Sequence, residues 1–509
     1  MTHLLGLDLG TTGAKAVVID ETGKVVSRAT EEYPLIVPRP GWSEQDAGDW
    51  WRASATAIRR AIASAEVDPG EIEGIGLTGQ MHGLVLLDGE GKVLRNPILW
   101  NDQRTAEQCA WMTEKLGGER ETIRLTCNPV LAGFTAPKLM WVRQNEPGIY
   151  SHARKMLLPK DFIRFKLTGT CATEVSDASG TSLFDVRKRK WSEEVLERLD
   201  IPFAMVPDVH ESTATTGEVS RGASDETGLR VGTPVVGGGG DQAAGAVGNG
   251  IVRPGVISAT IGTSGVVFAH TDEVKVDPEG RLHTFCHAVP GKWHVMGVML
   301  SAGGSMRWFR DKLGSPETEI ARSRSADPYD LLVAEAEGVP CGSEGLVFLP
   351  YLSGERTPHK DPDARGVFFG LSLRTGKGHL VRAIMEGVAF GMRDSLEIMK
   401  ETGISVTQVR ASGGGARSEL WRQIQADIYG VELHRMEAEE GPAFGAALLA
   451  GVGVGAYRSV EEACDITVKT AGLVQPRPEN MAVYERCYSI YKDLYHSLKP
   501  SFKGLAKFS

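Results

Sequence analysis

The feature that most constrains this chain is a repeat. An apolar run, residues 4–9, breaks at Gly10-Thr11-Thr12-Gly13 and resumes as Ala14–Asp20. A similar segment, residues 258–261, breaks at Gly262-Thr263-Ser264-Gly265 and resumes as Val266-Val267-Phe268, with the two turns 252 residues apart. Two short Gly/Thr turns can coincide by chance. A duplicated fold, with one turn from each half facing the same ligand, accounts for the spacing simply. At 509 residues the chain is also too long for one hydrophobic core.

The rest of the pattern fits two α/β halves. Residues 4–9, 14–20 and 23–28 read as an antiparallel meander, β-branched runs separated by glycine turns. Ser43 with Asp46 three residues on suggests a capping box. Trp51, Ala55, Ile58, Ile62 and Ala65 then follow helical spacing, and Trp50 and Trp51 read as packing residues. Residues 72–77 form a buried-type strand, and 84–87 with 92–94 a hairpin. Residues 249–255, containing Arg253-Pro254-Gly255, suit a hinge. Residues 406–412 read as a strand running into Gly413-Gly414-Gly415-Ala416, after which Ser418 caps a helix carrying Leu420, Ile424 and Ile428. Such a strand, glycine turn and helix start lets a nucleotide approach backbone closely. Residues 442–456 suggest a closely packed helix beneath that turn, and the last ten residues are expected to fray. The division expected is 1–248, 249–497 and a tail, 498–509.

Composition removes several function classes. A net charge of −9 argues against a nucleic-acid binder, which needs a basic face. Seven scattered cysteines read as free thiols and not as a disulfide framework. The N-terminus lacks the pattern of a signal peptide, and no run approaches the roughly 18 apolar residues of a membrane helix. A cytoplasmic protein is expected.

A Walker P-loop would need Gly-Lys followed by Ser or Thr. The Gly-Lys pairs ending at Lys24, Lys92, Lys292 and Lys377 are followed by Val, Val, Trp and Gly. The duplicated turns offer another phosphate grip, through free backbone N–H groups and Thr/Ser hydroxyls. Asp8 would sit behind the first turn, placed to hold Mg²⁺ directly or through water. Gly237-Gly238-Gly239-Gly240-Asp241-Gln242 delivers a carboxylate from a bare strand end. Asp241 there could take a hydroxyl proton as that oxygen attacks a γ-phosphate. It reads equally as a helix cap. Met81-His82, between glycines after a strand, suits a polyol pocket, although a loop or core histidine fits the same pattern. Trp100-Asn101-Asp102 offers an aromatic wall and polar groups, or a solvated loop. His283, Cys286, His287 and His294 lack metal-ligand spacing.

Taken together, these segments resemble the FGGY carbohydrate kinases from Gly6 to about Ser497. The similarity is carried by Gly6–Thr12, Gly41-Trp42-Ser43-Glu44-Gln45, Gly79–Gly83, Leu99–Asp102, Leu158-Pro159-Lys160-Asp161, Asp241–Gly245, Leu349–Pro358 and Gly413–Ser418, in this order. The resemblance implies two actin-like (ribonuclease H-like) α/β domains with a duplicated core and a catalytic cleft between them. It implies sugar bound mainly by the first and MgATP mainly by the second, with Asp241 as base. Within the family the segments are most similar to kinases of D-xylulose, which phosphorylate its 5-hydroxyl. That match implies sugar contacts at Met81, His82, Trp100, Asn101, Asp102, Asp241 and Gln242. ATP is expected at Thr11, Thr12, Lys15, Gly262, Thr263, Ser264, Gly303, Gly304, Gly414, Gly415, Ala416 and Ser418, with Mg²⁺ at Asp8. Many D-xylulose kinases carry Asn after the catalytic acid, whereas this chain has Gln242, so ribulose, gluconate and glycerol stay open as acceptors. An actin-like ATPase without a sugar substrate remains as an alternative; a sugar-sensing protein without catalysis is disfavoured by the presence of both Asp8 and Asp241. A homodimer is compatible with the resemblance.

Overall fold

The computed structural model of the chain describes residues 2–437, 441–505 and 508. Two sheets organise them, each seven-stranded. The first contains β1 (His3–Leu9), β2 (Gly13–Asp20), β3 (Val25–Glu32), β4 (Ile72–Gly79), β5 (Thr215–Glu218), β6 (Pro234–Val236) and the short β7 (Gly239–Gly240). Its order is β5-β6-β4-β1-β2-β3, with β7 pairing β4 beyond β6. The second contains β8 (Gly255–Ile261), β9 (Gly265–Thr271), β10 (His283–Cys286), β11 (Trp293–Met299), β12 (Val406–Gly413), β13 (Glu432–Met436) and β14 (Thr470–Val474). Its order is β10-β11-β9-β8-β12-β13-β14.

The duplication is visible in the ladders. β1 pairs antiparallel with β2 and parallel with β4; β8 pairs antiparallel with β9 and parallel with β12. The repeated turns therefore cap equivalent hairpins, each next to the carboxyl end of a parallel strand. Ligands of open α/β sheets gather at such ends.

Helices cover the sheets: α1 (Ala47–Ala65), α2 (Thr135–Asn145), α3 (Pro159–Thr168), α4 (Asp241–Gly248), α5 (Gly303–Leu313), α6 (Lys377–Glu401), α7 (Glu419–Tyr429), α8 (Gly441–Gly453) and α9 (Pro478–Leu505). Local details depart from expectation in three places. α1 is capped by Asp46, whose carboxylate accepts from the Gly48 amide, and not by Ser43. Residues 85–87 pair chiefly with Lys155–Leu157, leaving Leu87 and Val93 a single bridge. α9 continues through Pro500 to Leu505, so the start of the expected tail is helical; Phe502 is buried and packs near Tyr495.

α8 is a larger surprise. Although it lies late in the chain, it packs on the first sheet, where its residues share one core with Leu4, Val17, Ile19, Val236 and Ala243. Contact is backbone on backbone. A Cβ on Gly6 would run into the Ala443 carbonyl, one on Gly76 into that of Ala446, and one on Gly445 into that of Ala244 on α4. Only glycine permits this approach.

Candidate active site

The site is built at the end of β4. Gly79 pairs on one side with Leu9 of β1 and on the other with Gly240 of β7. Asp8 and Asp241, each one residue from those partners, therefore flank the same strand end. Gly238, at φ 69°, has a conformation that favours glycine, and a Cβ there would strike the Leu77 carbonyl. Asp241 opens α4 as its first residue, and the preceding Gly240 occupies the capping position.

Asp241 is partly exposed, at the bottom of a cleft where protein surrounds it on every side but the opening. Burial, and next the charge of Asp8, push its carboxyl from the ordinary 3.8 up to about 7, against hydrogen bonds from Gln242. Burial likewise raises Asp8 to about 6, although Lys15, opposite it in the β1–β2 ladder, pulls the other way. Asp8 Oδ1 is buried without a hydrogen-bond partner. Two carboxyls that titrate near neutral pH, one with an unpartnered oxygen, suit a proton acceptor beside a cation-binding group.

A buried charge cluster holds this strand end in place. Lys160 Nζ lies 2.7 Å from Asp161, 3.4 Å from Glu174 and 3.3 Å from Asp177, all with fully buried side chains. Burial, with Asp161 and Glu174 adding to it, drives Asp177 well above the usual carboxylate range. Arg164 donates to the Val236 and Gly237 carbonyls at 2.7 and 2.6 Å. Ser176 Oγ donates to Glu174 and accepts the Gly240 amide at 3.1 Å. Removing Lys160 alone would leave buried carboxylates unpaired, at about 3–5 kcal/mol.

Three compartments meet along the cleft. The smallest, about 190 Å³, is lined by Met81, His82, Trp100, Phe134, Asp241, Gln242, Ser264 and Arg356, among others. The central one, about 480 Å³, shares Asp241, Gln242 and Val266 with it and adds Thr260, Ser412, Gly414 and Ala416. The outer one, about 320 Å³, shares Gly414 and Arg417 with the central one and adds Gly262, Thr263, Gly303, Tyr329, Gly415 and Ser418.

In the small compartment His82 stacks on Phe134 at 4.7 Å, and its Nδ1 lies 2.9 Å from the Gly180 carbonyl. Burial first, and Lys138 next, hold the imidazole well below its ordinary pKa. It is therefore neutral, with Nδ1–H donating and Nε2 left as an acceptor. Lys138, on α2, donates to the His82, Gly133 and Phe134 carbonyls at 3.0, 2.5 and 3.1 Å and so ties two walls together.

Not every expected residue reaches a compartment. Asp102 is fully buried, its carboxylate gripped by Arg104 and by the Ser43 amide at 2.6 Å. Asn101 is not among the lining residues, and its Oδ1 is buried without a partner. Thr11 lines none of the three compartments: Trp100 Nε1 donates to its hydroxyl at 3.1 Å and Gln45 to its carbonyl at 2.7 Å. Gln45 in turn accepts from Trp50 and Gln80, so the Gly41–Gln45 segment braces the first turn. The Thr12 carbonyl accepts the Tyr33 amide. Gly304 donates to the Thr263 carbonyl at 3.0 Å, supporting the second turn from α5. Ser418 does cap α7, accepting from the Trp421 amide, while lining the outer compartment. His283, Cys286, His287 and His294 are buried, with His294 stacked on Phe268 at 4.2 Å.

Phe134 and Arg356 were not singled out from sequence. Phe134 carries no motif. Arg356 lies in the Leu349–Pro358 segment, which carried the resemblance without a role.

The comparisons agree with this architecture. A Bacillus subtilis (strain 168) protein named xylulose kinase is 39% identical over 508 residues, covering 100% of this chain and 99% of its own. The crystal structure of xylulose kinase from Rhodospirillum rubrum superposes with a TM-score of 0.91 at 31% identity, covering 98% of this chain and 100% of that one. That of gluconate kinase from Lactobacillus acidophilus also gives 0.91, at 27% identity and full coverage of both chains. Residues 3–248 match the N-terminal domain of the FGGY family of carbohydrate kinases, and residues 257–454 match its C-terminal domain. The chain belongs to the FGGY family of carbohydrate kinases.

Proposed function

We propose that this kinase transfers the γ-phosphoryl group of ATP to the 5-hydroxyl of D-xylulose, with Asp241 as general base. The observation that carries the reading is that the small and central compartments meet at Asp241. The small one has the size and lining for a sugar. Phe134 and Met81 offer apolar surface, His82 Nε2 can accept a hydrogen bond from a hydroxyl, and Trp100 closes one side. The central and outer compartments, with Gly262–Ser264 and Gly414–Ala416 along their walls, suit the phosphates and base of ATP.

In the step proposed, a sugar hydroxyl gives its proton to an Asp241 carboxylate oxygen while its oxygen forms a bond to the γ-phosphorus. The bond from that phosphorus to the β–γ bridging oxygen breaks, and ADP leaves with the bridging oxygen. Asp241 then returns its proton to water. A pKa of about 7 leaves the base partly ionised at neutral pH and still able to hold the proton. Closure of the two lobes would exclude water as a competing acceptor.

Asp8, with an unpartnered buried oxygen, fits Mg²⁺. Among the described residues no group of three or more His, Cys, Asp or Glu could hold a metal, which suits an ion bound largely through phosphate oxygens and water. When bound it would neutralise phosphate charge. No helix among the described residues is long and apolar enough to cross a membrane, in keeping with a kinase of small metabolites. The domain division 1–248 and 249–497 belongs to this reading, with α8 as the element that crosses it.

The test is a coupled ADP-release assay with D-xylulose, ribulose, gluconate and glycerol. The highest kcat/KM on D-xylulose is expected. A preference for gluconate, in keeping with Gln242, would replace the acceptor and keep the site. Equal ATP hydrolysis with and without any sugar would overturn both.

A further inference from the structure

Arg356 is an unexplained charge in the small compartment. Its main chain is anchored on the second lobe. Its amide donates to Glu355 at 2.8 Å, and the next residue, Thr357, exchanges hydrogen bonds with Val298 of β11 at 3.1 Å in each direction. The guanidinium nonetheless lines a space whose facing walls, Met81, His82, Trp100 and Phe134, come from the first lobe. It is near enough to His82 for its charge to add to the depression of that imidazole.

Among the described residues this group has the charge of Glu355 nearby but no direct partner. Among the described residues no carboxylate lies within the 4.0 Å of an ion pair, and no hydrogen-bond acceptor meets the guanidinium. Its neighbour Glu355 is turned away: one oxygen accepts the Leu300 and Arg356 amides, and burial pushes the carboxyl up to about 8. Arginine has five donors in a fixed fork and cannot shed its proton. Such a group, half-buried beside a 190 Å³ space, is placed to take an oxygen-rich ligand.

We propose that Arg356 is the second lobe's contribution to the acceptor site, a specificity residue that donates to sugar oxygens other than the one Asp241 deprotonates. The inference rests on the small compartment being the sugar site. The sugar then bridges the lobes: His82 and Asp241 hold it from one side and Arg356 from the other, so occupancy favours the closed cleft. A lysine cannot reproduce the two-pronged geometry.

The test is steady-state kinetics of R356M and R356K, with sugar and ATP varied independently and Tm measured for both. R356M should raise the sugar KM by about 10–150-fold, the worth of hydrogen bonds to a charged group, and leave the ATP KM within about 2-fold. R356K should fall between. For at least one monodeoxy analogue of the sugar, the penalty relative to the full sugar should vanish in R356M. A sugar KM within about 2-fold of wild type in a folded R356K and R356M overturns the proposal. So does an equal rise in both KM values, the mark of a merely structural residue. If the wild type prefers another sugar, the same measurements on that sugar decide Arg356, and only the acceptor named above falls.

Discussion

The two repeated turns show how one motif can be put to different uses. In the first, the Gly10 amide donates to the Gly13 carbonyl; in the second, the Gly262 amide donates to Ser264, one residue tighter. The register agrees, since Leu9 faces Ala14 whereas Ile261 faces Gly265. Behind the first turn stands Asp8, a strained carboxyl beside Asp241. The corresponding place behind the second holds Thr260, whose hydroxyl meets Ser412 at 2.7 Å. In the function proposed, the first lobe thus brings negative charge to the point where a proton and a cation would be handled. The second holds a neutral hydroxyl at the equivalent place, Thr260, where a polyanion would lie. The hairpin is repeated, and the residue behind each turn differs, a carboxyl in the first and a hydroxyl in the second.

That contrast can be broken from either side. The largest effect is expected for D241N, which keeps shape and removes the base. kcat should fall by at least about 100-fold, the usual worth of general base catalysis, while sugar binding measured by calorimetry persists; turnover near wild type would remove Asp241 from the chemistry. Next come two opposed substitutions. D8N should lower kcat by about 10-fold or more and raise the Mg²⁺ concentration needed for half-maximal rate. T260D, which gives the second turn the first one's carboxylate, should raise the ATP KM by about 10-fold through repulsion of the phosphates. An unaltered ATP KM in folded T260D would mean that the uncharged residue behind the second turn is incidental.

A smaller effect is expected in the pH profile. The sugar kcat/KM should rise with pH through about 7 as Asp241 loses its proton, then level. Because Asp8 helps raise that value, D8N should move the rising limb to lower pH; a shift upward would contradict the coupling. The smallest effect concerns stability. Asp241 binds its proton more tightly folded than unfolded, so between about pH 4 and 7 its contribution to stability declines as pH rises. D241N should therefore gain about 2–4 °C in Tm at pH 8 and clearly less at pH 5. Equal Tm gains at both pH values would show that the carboxylate is not strained.

What could be read from sequence was local. The Gly10–Gly13 and Gly262–Gly265 turns, the strand into Gly413 and the cap at Ser418 rest on neighbouring residues, and each lies within a few residues of its expected place. Asp241 was legible because four glycines strip the chain before it. The sugar-side wall was less so. Phe134 and Arg356 are brought to His82 by loops 52 and 274 residues away in sequence, and no periodicity encodes that meeting. Asp102 misled in the other direction: its polar cluster looked open, but Arg104 and Ser43 close on it. The fraying expected of the last residues overlooked Phe502, a single buried aromatic that extends the helix.

The placement of α8 has a consequence for how the protein comes into being. The first sheet is translated within the first half of the chain, yet the helix that seals its inner face ends at Gly453. Until that helix has left the ribosome, the apolar faces of Leu4, Val17 and Ile19 lack their native cover, and the nascent first lobe is a natural client for chaperones. A gene fragment cut at residue 248 would make this condition permanent. The halves that share a fold are therefore not independent folding units, and the order in which they are synthesised is not the order in which they are finished.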